Sequence, residues 1–163
     1  MVEIIAYTDG SCKNNGSKNA KGASAVLFPN CEINGGAYYI PDYETRTNNR
    51  QEFYAAIKAM ELMNEYNKDK TYILHIYTDS NLLINTCTKW MKGWKNKGWK
   101  KTSPGEIKNL DLIKKLYRHC EERDIKWTHV KAHMYDDSFE TKWNNLVDKC
   151  AYDASEFDNN MRY

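Results

Sequence analysis

Residues 3–7 hold Ile4, Ile5 and Ala6 in an uninterrupted apolar run that stops at Thr8-Asp9-Gly10. Little alternation in so short a run predicts a strand buried on both faces. A turn follows through Asn14, Asn15 and Gly16. Residues 23–28 and 33–40 carry Val, Leu, Ile, Phe and Tyr on either side of Pro29-Asn30, which predicts an antiparallel hairpin. The period then changes. Phe53, Ala56, Ile57, Met60 and Met63 recur at three-and-four spacing behind Thr47-Asn48-Asn49, the pattern of an N-capped amphipathic helix with Glu52 in its first turn. Residues 72–78 read as a second apolar strand closing in Asp79-Ser80, and Leu82, Leu83, Thr86 and Trp90 start a helix at once behind it.

Between Lys89 and Lys101 the periodic pattern breaks. Ser103-Pro104-Gly105-Glu106 then has the form of a capping box, opening a helix with Leu110, Ile113, Leu116, Tyr117 and Cys120 inward. Residues 125–131 are the fifth predicted strand. Trp143, Leu146, Val147, Cys150, Ala151 and Ala154 mark a last helix, and residues 156–163 read as a frayed tail. The expected organisation is one domain over residues 1–155, with a basic protrusion at about 89–103, and no internal repeat or linker.

The order β-β-β-α-β-α-α-β-α predicts an α/β fold. Its five-stranded mixed sheet combines an antiparallel meander of three strands with two parallel strands, with helices on both faces. Open α/β sheets gather their chemistry at the carboxyl ends of parallel strands, near a switch in strand order. Asp9 and Asp79 both sit at such ends. If the first and fourth strands are neighbours, the two carboxylates stand side by side and repel unless a cation or a proton lies between them. Glu52 could point to the same place, and Asp148, one residue beyond Val147, lies at the margin of the last helix's apolar stripe. Four acidic oxygen donors suit Mg²⁺ or Mn²⁺, and two such ions can clamp the attacking and leaving oxygens of a phosphoryl displacement. Singly, each residue also has a structural reading: Asp9 in a turn, Ser80 with Asp79 capping a helix, Glu52 at a helix dipole, Asp148 as a solvated carboxylate.

Composition narrows the class without naming a partner. The 163 residues are 41% hydrophobic and 28% charged, which excludes collagen-like, low-complexity and wholly disordered chains. The net charge of +2 identifies no ligand, but Lys89, Lys92, Lys95, Lys97, Lys100 and Lys101 concentrate +6 in one segment, leaving −4 elsewhere. Trp90, Trp94 and Trp99 interleave with these lysines, pairing flat apolar surfaces with phosphate-seeking charge. Five cysteines without a C-x-x-C pair point to a reducing compartment, and the first ten residues do not read as a signal peptide. No stretch is apolar enough to span a membrane. A monomer is expected, in the cytoplasm, or in the nucleus or an organelle if the source has these compartments.

These residues together resemble type 1 ribonuclease H. The likeness rests on Tyr7-Thr8-Asp9-Gly10-Ser11-Cys12, Thr47-Asn48-Asn49-Arg50-Gln51-Glu52, Tyr77-Thr78-Asp79-Ser80 and Val130-Lys131-Ala132-His133, followed by Asn144 and Asp148. It spans about residues 4–154 and implies a ribonuclease H-like fold. It also implies an endonuclease that cuts the RNA strand of an RNA/DNA hybrid, leaving 5′-phosphate and 3′-hydroxyl ends. On this likeness Asp9, Glu52, Asp79 and Asp148 are the metal-binding carboxylates for two Mg²⁺ ions, with Mn²⁺ as a substitute. His133 is the histidine of a mobile loop that aids proton handling or product departure. Asn15, Asn48 and Asn49 match positions that read 2′-hydroxyls or base edges. Trp90 and Trp94 match a channel for the DNA strand, Thr47 and Asn109 a pocket for a DNA phosphate, and Lys95, Lys97, Trp99 and Lys100 belong to the basic protrusion that embraces that strand.

The departures from the pattern carry expectations of their own. Thr45 stands where some relatives use Arg in the phosphate pocket, which implies a weaker grip. Fourteen residues separate His133 from Asp148, a longer loop than in familiar members. Asn14-Asn15-Gly16-Ser17-Lys18 replaces a glycine-rich segment. The additional hybrid-binding domain of many eukaryotic relatives is not expected here, and affinity is expected to come from this one domain.

Overall fold

The computed structural model describes residues 1–41 and 44–159. The first strand, β1 (Glu3–Lys13), pairs antiparallel with β2 (Lys21–Leu27) and parallel with β4 (Ile73–Thr78). Outside these, β3 (Gly36–Tyr38) pairs antiparallel with β2, and β5 (Ile125–His129) pairs parallel with β4, giving the order β3-β2-β1-β4-β5. The helices are α1 (Asn48–Tyr66), α2 (Asn81–Asn85), a π-helical turn (Thr86–Trp90), α3 (Met91–Asn96), α4 (Leu110–Glu122) and α5 (Phe139–Ser155). This is the mixed sheet that the hydrophobic pattern predicts.

Alternation along β1 sorts its side chains between two cores. Ile4 and Ala6 join Val26, Leu74 and Ile76 beneath Phe53, Ala56, Met60 and Met63 of α1 and Leu112, Ile113 and Leu116 of α4. Tyr7 faces the other way, with Ala25, against Val147 and Ala151 of α5. The sheet is therefore covered on both faces. Each buried Leu, Met or Phe contributes about 1.5–3 kcal/mol of transfer free energy, so these two layers hold the strand ends in register.

Several boundaries differ from the sequence reading. The hydrophobic run stops at Tyr7, but β1 continues to Lys13 because its ladder with β2 runs on to the pair Lys13↔Lys21. Only three residues of the predicted 33–40 strand are ladder-bonded, at Gly36–Tyr38. The fifth strand ends at His129, although the Val130 N–H still donates to the Thr78 carbonyl. The capping box at 103–106 does not form. Gly105 has φ +103°, which no first helical turn accommodates, and Ile107 drops into the core before α4 starts behind Asn109, itself at φ +60°. The basic segment is also more regular than expected. Helical structure passes from α2 through the π turn, where a π-helical hydrogen-bond pattern interrupts the α-helix, and continues to Asn96. Finally, the tail does not fray at Glu156. Asp158 is 3% exposed and ion-paired with Arg46.

Candidate active site and nucleic-acid interface

The pairing Tyr7↔Tyr77 is the last rung between β1 and β4. Two residues further along the chain stand Asp9, still on β1, and Asp79, just past the end of β4. Past that rung β1 keeps β2 as a neighbour but loses β4, so side chains from the α1 side and the α5 side can meet around the strand end. Glu52 arrives from the fifth residue of α1, just past the first turn where the sequence pattern placed it, because the helix starts at Asn48 and sits hard against β1. A Cβ at Gly10 would lie 2.5 Å from the Gln51 carbonyl carbon and 2.6 Å from the Glu52 nitrogen, so only glycine permits this approach. The Gly10 N–H then donates to Glu52 Oε1 at 2.8 Å. One ligand oxygen from each of Asp9, Glu52 and Asp79 lies within 4.8 Å of the others. Asp148 on α5 lies beside this group, hydrogen-bonding with Asp9 and adding its charge against Asp79.

Burial and mutual repulsion dominate the electrostatics. Desolvation pushes the Asp9 carboxyl well above its ordinary value, and Glu52 and Asp79 add to the rise. Glu52 is pushed up to about 7, chiefly by burial, while hydrogen bonding with Asp9 and, to a smaller extent, with Gly10 and Thr78 acts against the shift. Asp79 also rises through burial and the Asp148 charge, with His129 and His133 opposing. Glu52 Oε2 is buried without a hydrogen-bond partner. Three acids around an unpartnered buried oxygen, with Asp148 beside Asp9 and Asp79, form a site whose missing component is positive charge. Hard oxygen donors in that arrangement fit a divalent cation such as Mg²⁺ or Mn²⁺.

Next to the carboxylates lies a ledge of amides. Thr47 caps α1, its Oγ1 accepting from the Arg50 N–H at 3.1 Å. The loop between β1 and β2 docks on that helix end: Asn15 Oδ1 accepts from the Asn48 N–H at 2.7 Å, and the Gly16 N–H donates to the Arg46 carbonyl at 2.8 Å. Asn15, Thr45, Thr47, Asn49, Lys108 and Asn109 line a common groove, which brings together the residues expected from distant parts of the sequence. Arg50 ties its far wall. Its guanidinium donates to both Asp111 carboxylate oxygens at 3.0 and 2.8 Å, to Glu44 at 2.8 Å and to Asn109 Oδ1 at 3.2 Å.

The basic segment divides into two parts. Trp94 lines an apolar pocket with Asn49, Phe53, Leu82, Thr86 and Ile107, and the exposed Trp90 ring lies 6.1 Å from it. Trp99 instead packs edge-on against Tyr117 of α4 at 5.6 Å, under the Lys114 ammonium, and so anchors the segment. Lys95 stands 5.8 Å from the same Tyr117 ring, while Lys97 and Lys100 are exposed. His133 is exposed at φ +56° on the loop before α5, and Asn145 Nδ2 donates to the neighbouring Met134 carbonyl at 3.1 Å.

Sequence reasoning passed over four contributors. Gly10 was hidden because a glycine after Asp also makes a turn. Gln51 is wholly buried, its Oε1 and carbonyl accepting from Ser24 Oγ, and its side chain occupies the space that a Cβ at Gly22 would need. Arg50 carries no signal apart from its position in the capped turn. His129 becomes visible only through the register Thr78↔His129, which lets its Nε2 donate to the Asp79 carbonyl at 3.2 Å.

A family model for RNase H matches residues 1–156. The chain is 36% identical over 134 residues to Ribonuclease HI of Caulobacter vibrioides, covering 80% of this chain and 81% of that one. It is 31% identical over 157 residues to Ribonuclease H of Clostridium botulinum, covering 96% and 97%. Against human Ribonuclease H1 the identity is 37% over 131 residues, which is 80% of this chain and 44% of that longer protein. Among solved structures, LC9-RNase H1, a type 1 RNase H with the type 2 active-site motif, shares the fold with a TM-score of 0.74 at 23% identity, covering 98% and 74%. LC11-RNase H1 in complex with an RNA/DNA hybrid does so with a TM-score of 0.65 at 19% identity, covering 94% and 97%. With the match running along almost the whole sequence and through every segment that builds the carboxylate pocket, the chain belongs to the RNase H family.

Proposed function

We propose that this protein is an endoribonuclease that hydrolyses the RNA strand of RNA/DNA hybrids, with Asp9, Glu52, Asp79 and Asp148 holding two divalent ions at the scissile phosphate. The convergence of Asp9, Glu52 and Asp79 in one partly buried pocket is the observation that carries this reading. Relatives named Ribonuclease H at 31–36% identity over most of the chain support it, as does a hybrid complex of a protein with the same fold.

When bound there, Mg²⁺ or Mn²⁺ supplies Lewis-acid polarisation of the phosphate and lowers the pKa of an attacking water. The chain's own residues do the positioning. Gly10 fixes Glu52 Oε1 through its N–H, leaving Oε2 free to ligate. Burial of Asp9 and Glu52 keeps bulk water from screening the site. His133 lies near enough to influence Asp79 electrostatically, and its imidazole can take or return a proton as the 3′ oxygen departs with the 5′-phosphate end formed on the other fragment.

Strand choice follows from the ledge and the basic segment. Amides of Asn15, Asn48 and Asn49 can both donate to and accept from ribose 2′-hydroxyls presented in a wide minor groove. The DNA strand runs over Trp90 and Trp94, with a phosphate at Thr47 and Asn109 and screening charge from Lys95, Lys97 and Lys100. Thr45 brings no charge to that phosphate, and the groove's Lys108 supplies a cation close by.

Uniformly labelled RNA/DNA, RNA/RNA and DNA/DNA duplexes of one sequence, incubated with and without Mg²⁺, test this assignment. Cleavage confined to the RNA of the hybrid, and dependent on Mg²⁺, is expected. Equal cutting of duplex DNA would move the protein to the DNA-cutting enzymes of this fold, and tight hybrid binding without cleavage would make it a binding module.

A further inference from the structure

Among the described residues Arg46 has the largest side chain that is wholly buried, and the segment following α5 meets it there. Its Nε donates to Asp158 Oδ2 at 2.9 Å and its Nη2 to Asp158 Oδ1 at 3.2 Å. The third nitrogen, Nη1, donates to the carbonyls of Pro41 at 3.0 Å and Glu44 at 2.7 Å. Asp158 Oδ2 in turn accepts from the Gly22 N–H at 2.9 Å. A buried guanidinium and carboxylate satisfied on all these sides fix geometry, because neither group can shift without leaving a desolvated charge unpaired.

That geometry reaches the ledge. The backbone carbonyl of the same Arg46 accepts from Gly16, whose neighbour Asn15 accepts from Asn48, and Thr47 follows directly as the α1 cap. Neighbouring contacts reinforce the strap: Glu156 pairs with Lys13 at 2.7 Å at the end of β1, and the Tyr39 hydroxyl donates to the Ala154 carbonyl at 2.9 Å. The chain after α5 therefore staples the two loops that carry Asn15, Thr47 and Asn48, while the carboxylate pocket has a contact of its own in the Gly10 N–H donated to Glu52 Oε1.

We infer that Asp158 is a positioning residue for hybrid recognition: through Arg46 it holds Asn15, Thr47 and Asn48 in the arrangement that grips the substrate, without acting on the cleavage step. The inference rests on the functional reading above and deepens it. Small displacements of a binding ledge weaken ground-state and transition-state binding alike, which raises KM and leaves kcat unchanged.

The test is steady-state cleavage of a hybrid by the whole protein carrying Asp158→Asn, which keeps the shape and removes the charge. A rise in KM of about tenfold with kcat within about twofold of the unsubstituted protein is expected, the size that a misplacement of about an ångström or less brings. Leu116→Ala, a core truncation in α4, serves as the control for loss of stability and should leave KM unchanged at a temperature where it stays folded. Arg46→Lys is the gentler second variant. It keeps a cation near Asp158 but cannot span the Pro41 and Glu44 carbonyls as well, so KM should rise here too. An unchanged KM in folded Asp158→Asn or Arg46→Lys overturns the inference, as does a fall confined to kcat. So does failure of both variants to fold, since the coupling would then be to the fold as a whole. If the unsubstituted protein neither binds nor cleaves hybrid, the functional reading itself has failed, an outcome distinct from each of these.

Discussion

The environment of Glu52 ties the stability of the site to the ionisation of one side chain. Its folded pKa of about 7 lies above the ordinary 4.5, because burial penalises the ionised form. In the metal-free protein the native state therefore binds a proton more tightly than the unfolded chain does. That contribution to stability is fully present below about pH 4.5 and is lost as pH rises through about 7. Glu52→Gln removes the ionisation. At about pH 8 without divalent ions it should melt several degrees above the unsubstituted protein, whereas at about pH 4.5 the two should melt together, and cleavage in Mg²⁺ should fall by about 100-fold or more. Thermal unfolding at both pH values checks the sign, and a variant that melts lower at about pH 8 would contradict it. Asp9 and Asp79 were legible as candidates because they interrupt apolar runs, but the crowding that shifts their ionisation depends on Gly10 letting α1 approach, which a glycine in a Thr-Asp-Gly-Ser string does not announce.

At the level of elements, periodicity found every strand and the long helices, and it failed where tertiary packing outweighed local signals. Thr47 caps α1 as its sequence foretold, since the helix period starts right behind it. Ser103 has equally good credentials and caps nothing, because Ile107 is drawn into the core before α4 begins. Lys and Trp at irregular spacing hid the helical nature of the basic segment, whose π turn shifts the period between Thr86 and Trp90. The segment joins a core-packed root at Met91, Trp94 and Trp99 to an exposed lysine surface, so its charge can be removed without unpacking it. Lys95→Ala with Lys97→Ala should weaken hybrid binding and lower the slope of log affinity against log salt by about 2, one per phosphate contact, with sequence preference unchanged. Binding measured across a salt series checks this, and an unaltered slope would remove the segment from the interface.

Across the whole molecule the two substrate-facing features are supported by different parts of the chain. The carboxylate pocket stands where β1 and β4 part, and the amide ledge is braced from behind by Asp158, the last buried charge among the described residues. No local pattern marks that brace, because Arg46 and Asp158 are 112 residues apart and a short polar stretch after a helix resembles any loose end. The concentration of positive charge on one segment, opposite in sign to the carboxylate cluster, gives the protein two poles. The central claim is that carboxylates from separate segments act together on the scissile phosphate. Cleavage of a labelled hybrid by Asp79→Asn in Mg²⁺, set beside its hybrid affinity, tests that claim most directly. The account predicts a loss of activity of about 100-fold or more, with affinity retained and the fold intact. Cleavage at the unsubstituted rate would contradict it.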